Sequence, residues 1–77
     1  MRLSKAREYQ ALDLIDGFTA TPVPGGYMLA IDHRGEPRQG TTLETAQGAE
    51  KIYSTLSAVN ADVERITEQR AAWTMKI

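Results

Sequence analysis

The chain has 77 residues with 10 acidic and 9 basic side chains, a formal charge of −1. This length allows one domain with a small core, and the near-neutral charge argues against a strongly basic nucleic-acid wrapper or a strongly acidic DNA mimic. Because the chain has no cysteine, disulfides and cysteine-ligated metal sites are excluded.

The first predicted element is a helix over residues 3–16. Ser4 is placed to cap its N-terminus, and Gly17 follows where a left-handed residue commonly ends a helix. The apolar residues recur at helical spacing, with the polar ones mostly opposite: Leu3, Ala6, Ala11, Leu12 and Ile15.

A β-hairpin is predicted next, with strands over residues 18–23 and 26–32. Pro24, Gly25 and Gly26 form a strong turn signal between them. Pro22 has no backbone N–H, so the first strand is expected at an edge or to be short. The second strand is apolar on both faces and is expected at the centre of the sheet.

The segment after the hairpin alternates between polar turns and short strands. Residues 33–37 are predicted to form an exposed loop, and the Thr-rich residues 38–45 a strand with one solvated face. A turn at residues 46–48 and a short strand at residues 49–53 follow.

The second predicted helix starts at Ser54 or Thr55, either of which could cap it, and runs to about residue 69. Its apolar stripe comprises Leu56, Val59, Val63 and Ile66, and its other side carries Asn60, Asp62, Glu64 and Arg65. Residues 71–77 fit a longer helix or a final strand. We favour the strand, because Trp73, Met75 and Ile77 alternate.

These elements predict a single α+β domain over residues 1–77. Its architecture is a small antiparallel β-sheet of three to five strands, with an N-terminal helix and a C-terminal helix packed on one face. Tyr53 is expected in the core, and the remaining predicted core residues are Tyr27, Leu29, Ile31, Leu43, Ile52, Leu12, Ile15, Leu56, Val59, Val63 and Ile66.

Catalytic chemistry has few candidate residues in this chain. His33 is the only histidine, and although it could act as a general base with Asp32 or Glu36, we favour a solvated loop histidine. The acidic residues are scattered and no phosphate-binding glycine motif occurs. We therefore expect no enzyme activity, no cofactor and no metal.

The chain has no targeting or membrane signal that we recognise. No apolar run approaches the ~20 residues of a membrane span. The N-terminus is charged and lacks an apolar signal core, so we expect a cytoplasmic protein that does not bind membranes.

Protein binding has more candidate residues. The charged stretch of Asp32, His33, Arg34, Glu36 and Arg38 is explained most simply as a solvated loop that keeps the chain soluble. It is still the first choice for a contact surface, since its two arginines could make bidentate contacts to carboxylates or phosphates. Thr42 and its neighbours on the Thr-rich strand extend this surface.

Trp73 and the N-terminal basic residues supply two further candidates. Trp73 fits the core or an interface: on an exposed terminal strand it would be an interface residue, for example within a homodimer. Arg2, Lys5 and Arg7 could contact nucleic acid, although Lys5 and Arg7 diverge on a helix; a solvated first turn explains them as well.

Between Arg2 and Ala58 the chain has an RLSKAR helix opening, a Gly-Phe strand with a later proline, a Gly-Tyr hairpin, Leu43-Glu44-Thr45 with Gly48, and a KIYSTLSA strand-to-helix junction. In these motifs it resembles the small partition-associated accessory proteins of plasmids and integrative elements. The resemblance implies an accessory protein of a mobile element. Its motifs are caps, turns and core residues, and the tail beyond Ala58 has no counterpart.

Two functions follow as hypotheses. The first is a non-enzymatic accessory protein of a plasmid, phage or prophage, which binds a protein complex of the host or the element. It could be a stoichiometric inhibitor of a host defence complex, as anti-CRISPR proteins of similar size are. The alternative is a partition or regulatory accessory protein that binds nucleic acid through its small basic patch, as a dimer.

Overall fold

The structure, a computed structural model, describes residues 1–34, 40–68 and 73–75. The elements in chain order are α1 (Leu3–Ala11), β1 (Ile15–Val23), β2 (Gly26–His33), β3 (Gly40–Thr42), α2 (Leu56–Thr67) and β4 (Thr74–Met75). The four strands form one sheet in the order β3-β2-β1-β4, antiparallel except for the parallel β1–β4 pair. The predicted α+β class is confirmed.

Both helices contribute to a core on one face of the sheet. Along β1 and β2 alternate residues are buried, and the register places Phe18 opposite Ile31 and Ala20 opposite Leu29. One cluster joins these side chains to both helices: Ala6, Ile15, Phe18, Ala20, Leu29, Ile31, Leu43, Tyr53, Val59, Val63 and Ile66. Residues on the other sheet face, such as Thr19, Ala30 and Thr42, are half-buried.

The predicted hairpin is confirmed, and β2 is central as expected. The strands pair down to Val23 opposite Gly26, with Pro24 and Gly25 in the turn. The prediction that Pro22 marks an edge strand is wrong, because β1 also pairs with β4. That pairing involves only Thr19 and Ala20, so it ends before Pro22, which has no N–H to donate.

The first helix is shorter than predicted. It ends at Ala11, and Asp13 has the left-handed backbone (φ 58°) that we expected at Gly17. Ile15 begins β1 opposite His33, and a bulge separates Ile15 from Gly17. The Ser4 cap is also wrong, since Arg2 is the N-cap residue and makes no side-chain capping bond.

The segment before α2 has less strand than predicted. β3 covers only Gly40–Thr42, and the predicted strand at residues 49–53 is reduced to isolated bridges, Glu44 to Glu50 and Tyr27 to Tyr53. The predicted turn at residues 46–48 is present: Gly48 has a φ of 88° and donates its N–H to the Thr45 carbonyl at 2.9 Å.

The second helix and the final strand agree with the sequence. The Thr55 hydroxyl caps α2 by accepting the Ala58 N–H at 3.2 Å, and Glu68 ends it with a left-handed backbone. Val59, Val63 and Ile66 are buried. Leu56 and Ile52, predicted in the core, are 38% and 46% exposed. Thr74–Met75 forms the expected strand, whereas Ile77 lies outside the described residues.

Within the three described ranges, no helix has both the length and the apolar composition needed to cross a membrane.

Candidate protein-binding site

Two large apolar side chains are exposed where α1 connects to β1. Leu12 is 68% and Leu14 is 41% exposed, although Leu12 was predicted in the core. Because α1 ends at Ala11, neither leucine continues its buried face. The backbone around them is held by hydrogen bonds: Leu14 donates to the Tyr9 carbonyl at 3.0 Å and accepts the Arg34 N–H at 2.9 Å.

Charged side chains adjoin these leucines. The Arg34 guanidinium lies 3.2 Å from an Asp13 carboxylate oxygen and 3.6 Å from one of Asp16. All three side chains are more than half exposed, so these ion pairs contribute little to folding stability. We call Leu12, Asp13, Leu14, Asp16 and Arg34 the end surface.

Arg34 is the predicted contact residue that joins the end surface. Glu36 and Arg38 lie outside the described residues. The other members were not predicted as contact residues, because a helix over residues 3–16 would place Leu12 in the core. A local signal existed: Asp is one of the few residues besides glycine that enter left-handed backbone readily, so Asp13 could have marked an early helix end.

Asp32 and His33 point to opposite faces of β2, as expected for neighbours on a strand. Asp32 accepts a hydrogen bond from the Thr19 hydroxyl at 3.0 Å, on the face away from the helices. His33 is half-buried at the end of β2: Nε2 lies 2.5 Å from Thr41 Oγ1, and the ring packs edge-on against Tyr9. The prediction of a solvated loop histidine is therefore wrong.

Thr42 and Trp73 are both half-buried. Thr42 pairs with Ala30, and its carbonyl accepts the terminal ammonium of Met1 at 2.8 Å. Trp73 packs against the core and donates its indole N–H to Asn60 at 3.3 Å. Trp73 is therefore half-buried rather than exposed on a terminal strand, the condition on which its predicted interface role depends.

Two of the three N-terminal basic residues are paired with carboxylates. Lys5 lies 3.4 Å from Glu8, and Arg7 pairs with Glu68. Arg2 is exposed and, among the residues the structure describes, forms no ion pair. It lines an open cavity of about 380 Å³ beside the start of α1, together with Ser4, Thr45 and Lys51.

A buried charge cluster, missed from the sequence, lies between α2 and the segment before it. Asp62 is 1% exposed. Its Oδ2 accepts hydrogen bonds from Lys51 at 2.8 Å and from the Tyr53 hydroxyl at 2.6 Å, and its Oδ1 accepts one from Arg65 at 2.6 Å. The prediction that Asp62 lies on the side of the helix opposite the apolar stripe is therefore wrong. Its spacing from Val59 and Ile66 puts it on the buried stripe.

This cluster shifts the pKa of both buried groups. Burial opposes ionisation of Asp62, but the hydrogen bonds from Lys51, Tyr53 and Arg65 outweigh it and lower the pKa of this carboxyl below 3.8. Burial, followed by the hydrogen bond to Asp62, raises the pKa of the Tyr53 phenol well above its ordinary value. The cluster therefore holds a carboxylate and a neutral phenol at neutral pH, an arrangement that joins Lys51 and Tyr53 to α2.

Metal chemistry has no assembled ligand set in the described part of the chain, where no three His, Cys, Asp or Glu residues could together hold an ion. At the end surface, apolar and charged groups are exposed together. Comparison with protein-family models, with curated proteins and with solved structures found no match to this chain.

Proposed function

We propose that this chain is a non-enzymatic protein-binding module that docks on its partner through the end surface. The observation that carries the proposal is the exposure of Leu12 and Leu14 beside the Arg34 ion pairs. Apolar side chains within a charged rim are typical of protein–protein interfaces. Single exposed leucines are common on protein surfaces, but here two lie in one hydrogen-bonded connection.

The biological setting that we propose is a mobile genetic element. The resemblance of residues 2–58 to partition-associated accessory proteins supports this setting. The module would act by stoichiometric occlusion of a protein complex of the host or the element, as an anti-CRISPR protein occludes a defence complex. A 77-residue chain with an exposed apolar contact suits occlusion, because occlusion needs no catalytic site.

Affinity capture from a lysate of the native host tests the proposal. The tagged chain is compared with a Leu12→Ser/Leu14→Ser double variant and with Ile52→Ser, a matched control because Ile52 is also exposed but lies by the hairpin turn. Each capture is repeated after nuclease treatment and read by mass spectrometry. We expect a stoichiometric partner that survives nuclease, is kept by Ile52→Ser and is lost by the double variant.

Two results would contradict this function. Equal loss of the partner in Ile52→Ser and in the double variant would show that the end surface is not the docking site. Loss of the partner after nuclease alone would show that nucleic acid mediates the contact.

The second candidate is nucleic-acid binding through Arg2, Lys5 and Arg7. The observation that favours it is the first turn of α1, which has no acidic residue and whose N-cap Arg2 has no capping bond. Positive charge at a helix N-terminus opposes the helix dipole, so it does not serve helix stability. The pairing of Lys5 with Glu8 and of Arg7 with Glu68 weighs against this function.

Salt dependence separates the two candidates. If the basic residues contact duplex DNA, log affinity falls with log salt by about 0.9 per neutralised phosphate, and Arg2→Ala reduces that slope by about one contact. Fluorescence anisotropy of a labelled duplex measures both. DNA affinity that is undetectable at low salt would remove this candidate.

A further inference from the structure

The end of the sheet that carries the end surface is acidic. Asp13 and Asp16 flank Arg34, and Asp32 lies at the same end because it pairs with Gly17, one residue after Asp16. The two carboxylates and one guanidinium of the end surface have a formal charge of −1. Asp32, whose carboxylate accepts the Thr19 hydroxyl on the sheet face away from the helices, adds a further negative charge beside it.

The apolar part of the end surface is held in place before any partner binds. The Leu12 N–H donates to the Glu8 carbonyl at 3.1 Å, and Leu14 is bonded on both its N–H and its carbonyl. Both leucine side chains nevertheless remain exposed. A contact whose backbone is already ordered loses less conformational entropy on binding, which favours affinity.

We propose that the partner of the end surface is a basic amphipathic protein segment, in which apolar side chains alternate with lysine or arginine. Its apolar side chains cover Leu12 and Leu14, and its cations meet Asp13, Asp16 and Asp32. Opposite charges across an interface speed association and select the partner. This inference rests on the proposed function, since it names the chemistry of the protein that the end surface binds.

A second copy of this chain fits the end surface less well. A two-fold contact presents the same patch on both sides, so two surfaces that each have a formal charge of −1 would face each other. One Arg34 on each side cannot neutralise the two carboxylates that it would meet. Charge therefore favours a different, basic protein over self-association.

Two synthetic peptides provide the probe. Both have the same length and leucine positions, but one carries lysine and the other glutamate at the remaining positions. Each is titrated into the ¹⁵N-labelled full chain, and the amide shifts are followed by NMR. We expect the leucine–lysine peptide to shift residues 12–16 and 34, and to bind at least tenfold more tightly than the leucine–glutamate peptide.

Charge variants make the test specific. Asp16→Asn removes one carboxylate from the end surface, and we expect it to weaken binding of the leucine–lysine peptide about threefold. Glu50→Gln is the matched control, because Glu50 is exposed and lies in the segment before α2. It removes the same charge elsewhere and should leave the affinity unchanged.

Several outcomes would overturn the inference. They include equal binding of both peptides, binding of the lysine peptide outside the end surface, and equal effects of the two charge variants. Dimerisation of the chain that Leu12→Ser abolishes, seen by sedimentation, would make a second copy the occupant. A captured partner that requires Leu12 and Leu14 but not Asp16 would overturn the basic chemistry alone and leave the proposed function standing.

Discussion

Asp62 is the buried charged side chain among the residues that the structure describes, and its neighbours explain how it is tolerated. Taking a carboxylate out of water is costly unless it is paired and hydrogen-bonded, and three donors meet this one. Two of them, Lys51 and Tyr53, belong to a segment that the sheet holds only by isolated bridges. The cluster therefore ties that segment to α2.

Removing the Asp62 carboxylate should destabilise the fold strongly. Asp62→Ala leaves the buried Tyr53 hydroxyl without its acceptor, and we expect a loss of about 3 kcal/mol in the free energy of unfolding. Asp16→Ala, which breaks only an exposed ion pair, should cost less than about 0.5 kcal/mol. Urea unfolding of both variants measures the difference, and equal losses would show that the cluster does not stabilise the fold.

The same carboxylate should make stability depend on acid. The pKa of Asp62 in the folded chain lies below the ordinary 3.8, because its hydrogen bonds favour the ionised form more than burial opposes it. The stability that it contributes is therefore complete above the unfolded pKa and is lost as pH falls through the folded pKa. We expect the free energy of unfolding to decrease below about pH 4.

Asp62→Asn provides the check on this acid dependence. Unfolding of the variant and of the unmodified chain is measured across the acid range, and the variant should lose less stability as pH falls. Identical slopes in the two proteins would assign the acid dependence to other carboxylates.

At the scale of elements, the two helices begin in different ways. The Thr55 hydroxyl caps α2, whereas α1 starts at Arg2 without a side-chain cap. A capping hydroxyl satisfies a backbone N–H that the helix itself leaves unpaired. Ser4 lies inside α1, where an alanine would serve the helix at least as well.

Alanine substitutions at the two helix starts should differ in their effect on folding stability. Thr55→Ala should cost about 1 kcal/mol, because it removes the hydroxyl that accepts the Ala58 N–H. Ser4→Ala should be neutral or slightly stabilising. Thermal unfolding followed by circular dichroism compares the two, and a larger loss for Ser4→Ala would mean that Ser4 is the cap after all.

The hairpin depends on the absence of a side chain at Gly26. A Cβ there would lie 2.0 Å from the Tyr53 carbonyl oxygen, and the residue has a φ of 150°. Tyr27 and Tyr53 exchange both backbone hydrogen bonds next to this position, at 2.8 and 2.7 Å. A larger residue at Gly26 would therefore push residues 53–54 away from β2.

Gly26→Ala should cost at least about 3 kcal/mol, since backbone atoms must move to admit the methyl group. Gly17→Ala is the matched control, because a Cβ at Gly17 would meet only an Asp32 carboxylate oxygen at 3.6 Å, an ordinary contact. Chemical denaturation of both variants measures the contrast. Similar midpoints would show that the approach of Tyr53 to Gly26 is not needed for stability.

At the scale of the whole molecule, one small core carries the fold. Its side chains come from both helices and from β1 and β2, together with Leu43 and Tyr53 between β3 and α2. A domain this short has little stability to spare. The exposed Leu12 and Leu14 take no part in that core, so a substitution at either should leave the core intact.

Two leucine substitutions should differ strongly in their effect on the free energy of unfolding. Leu29→Ala removes a fully buried side chain at the centre of the sheet and should cost about 2–5 kcal/mol, enough to unfold much of the protein. Leu12→Ser should change stability by less than about 0.5 kcal/mol, because Leu12 is largely in water already. Unfolding curves test this, and a large loss in Leu12→Ser would place Leu12 in the core.

Several elements were predictable because their signals are local. Pro24 and Gly25 specify a turn by their own backbone preferences, and the Thr55 cap needs only the three residues that follow it. The spacing of Val59, Val63 and Ile66 identifies the buried face of α2 without reference to any other element. The candidate site was harder to predict from the sequence, and Arg34 is the only member of the end surface that was predicted as a contact residue.

The remaining features depend on contacts between distant residues. Ile15 fits a helical stripe and a strand equally well. Its pairing with His33 places it in β1, so α1 ends earlier and Leu12 and Leu14 are exposed. The burial of Asp62 becomes tolerable only because Lys51 and Tyr53 arrive from another segment. Sequence by itself thus determined the turns, caps and helix periodicity, whose energies arise between near neighbours. Tertiary structure decided where α1 ends, which charge is buried and which leucines remain exposed, since those energies arise from packing across the sheet.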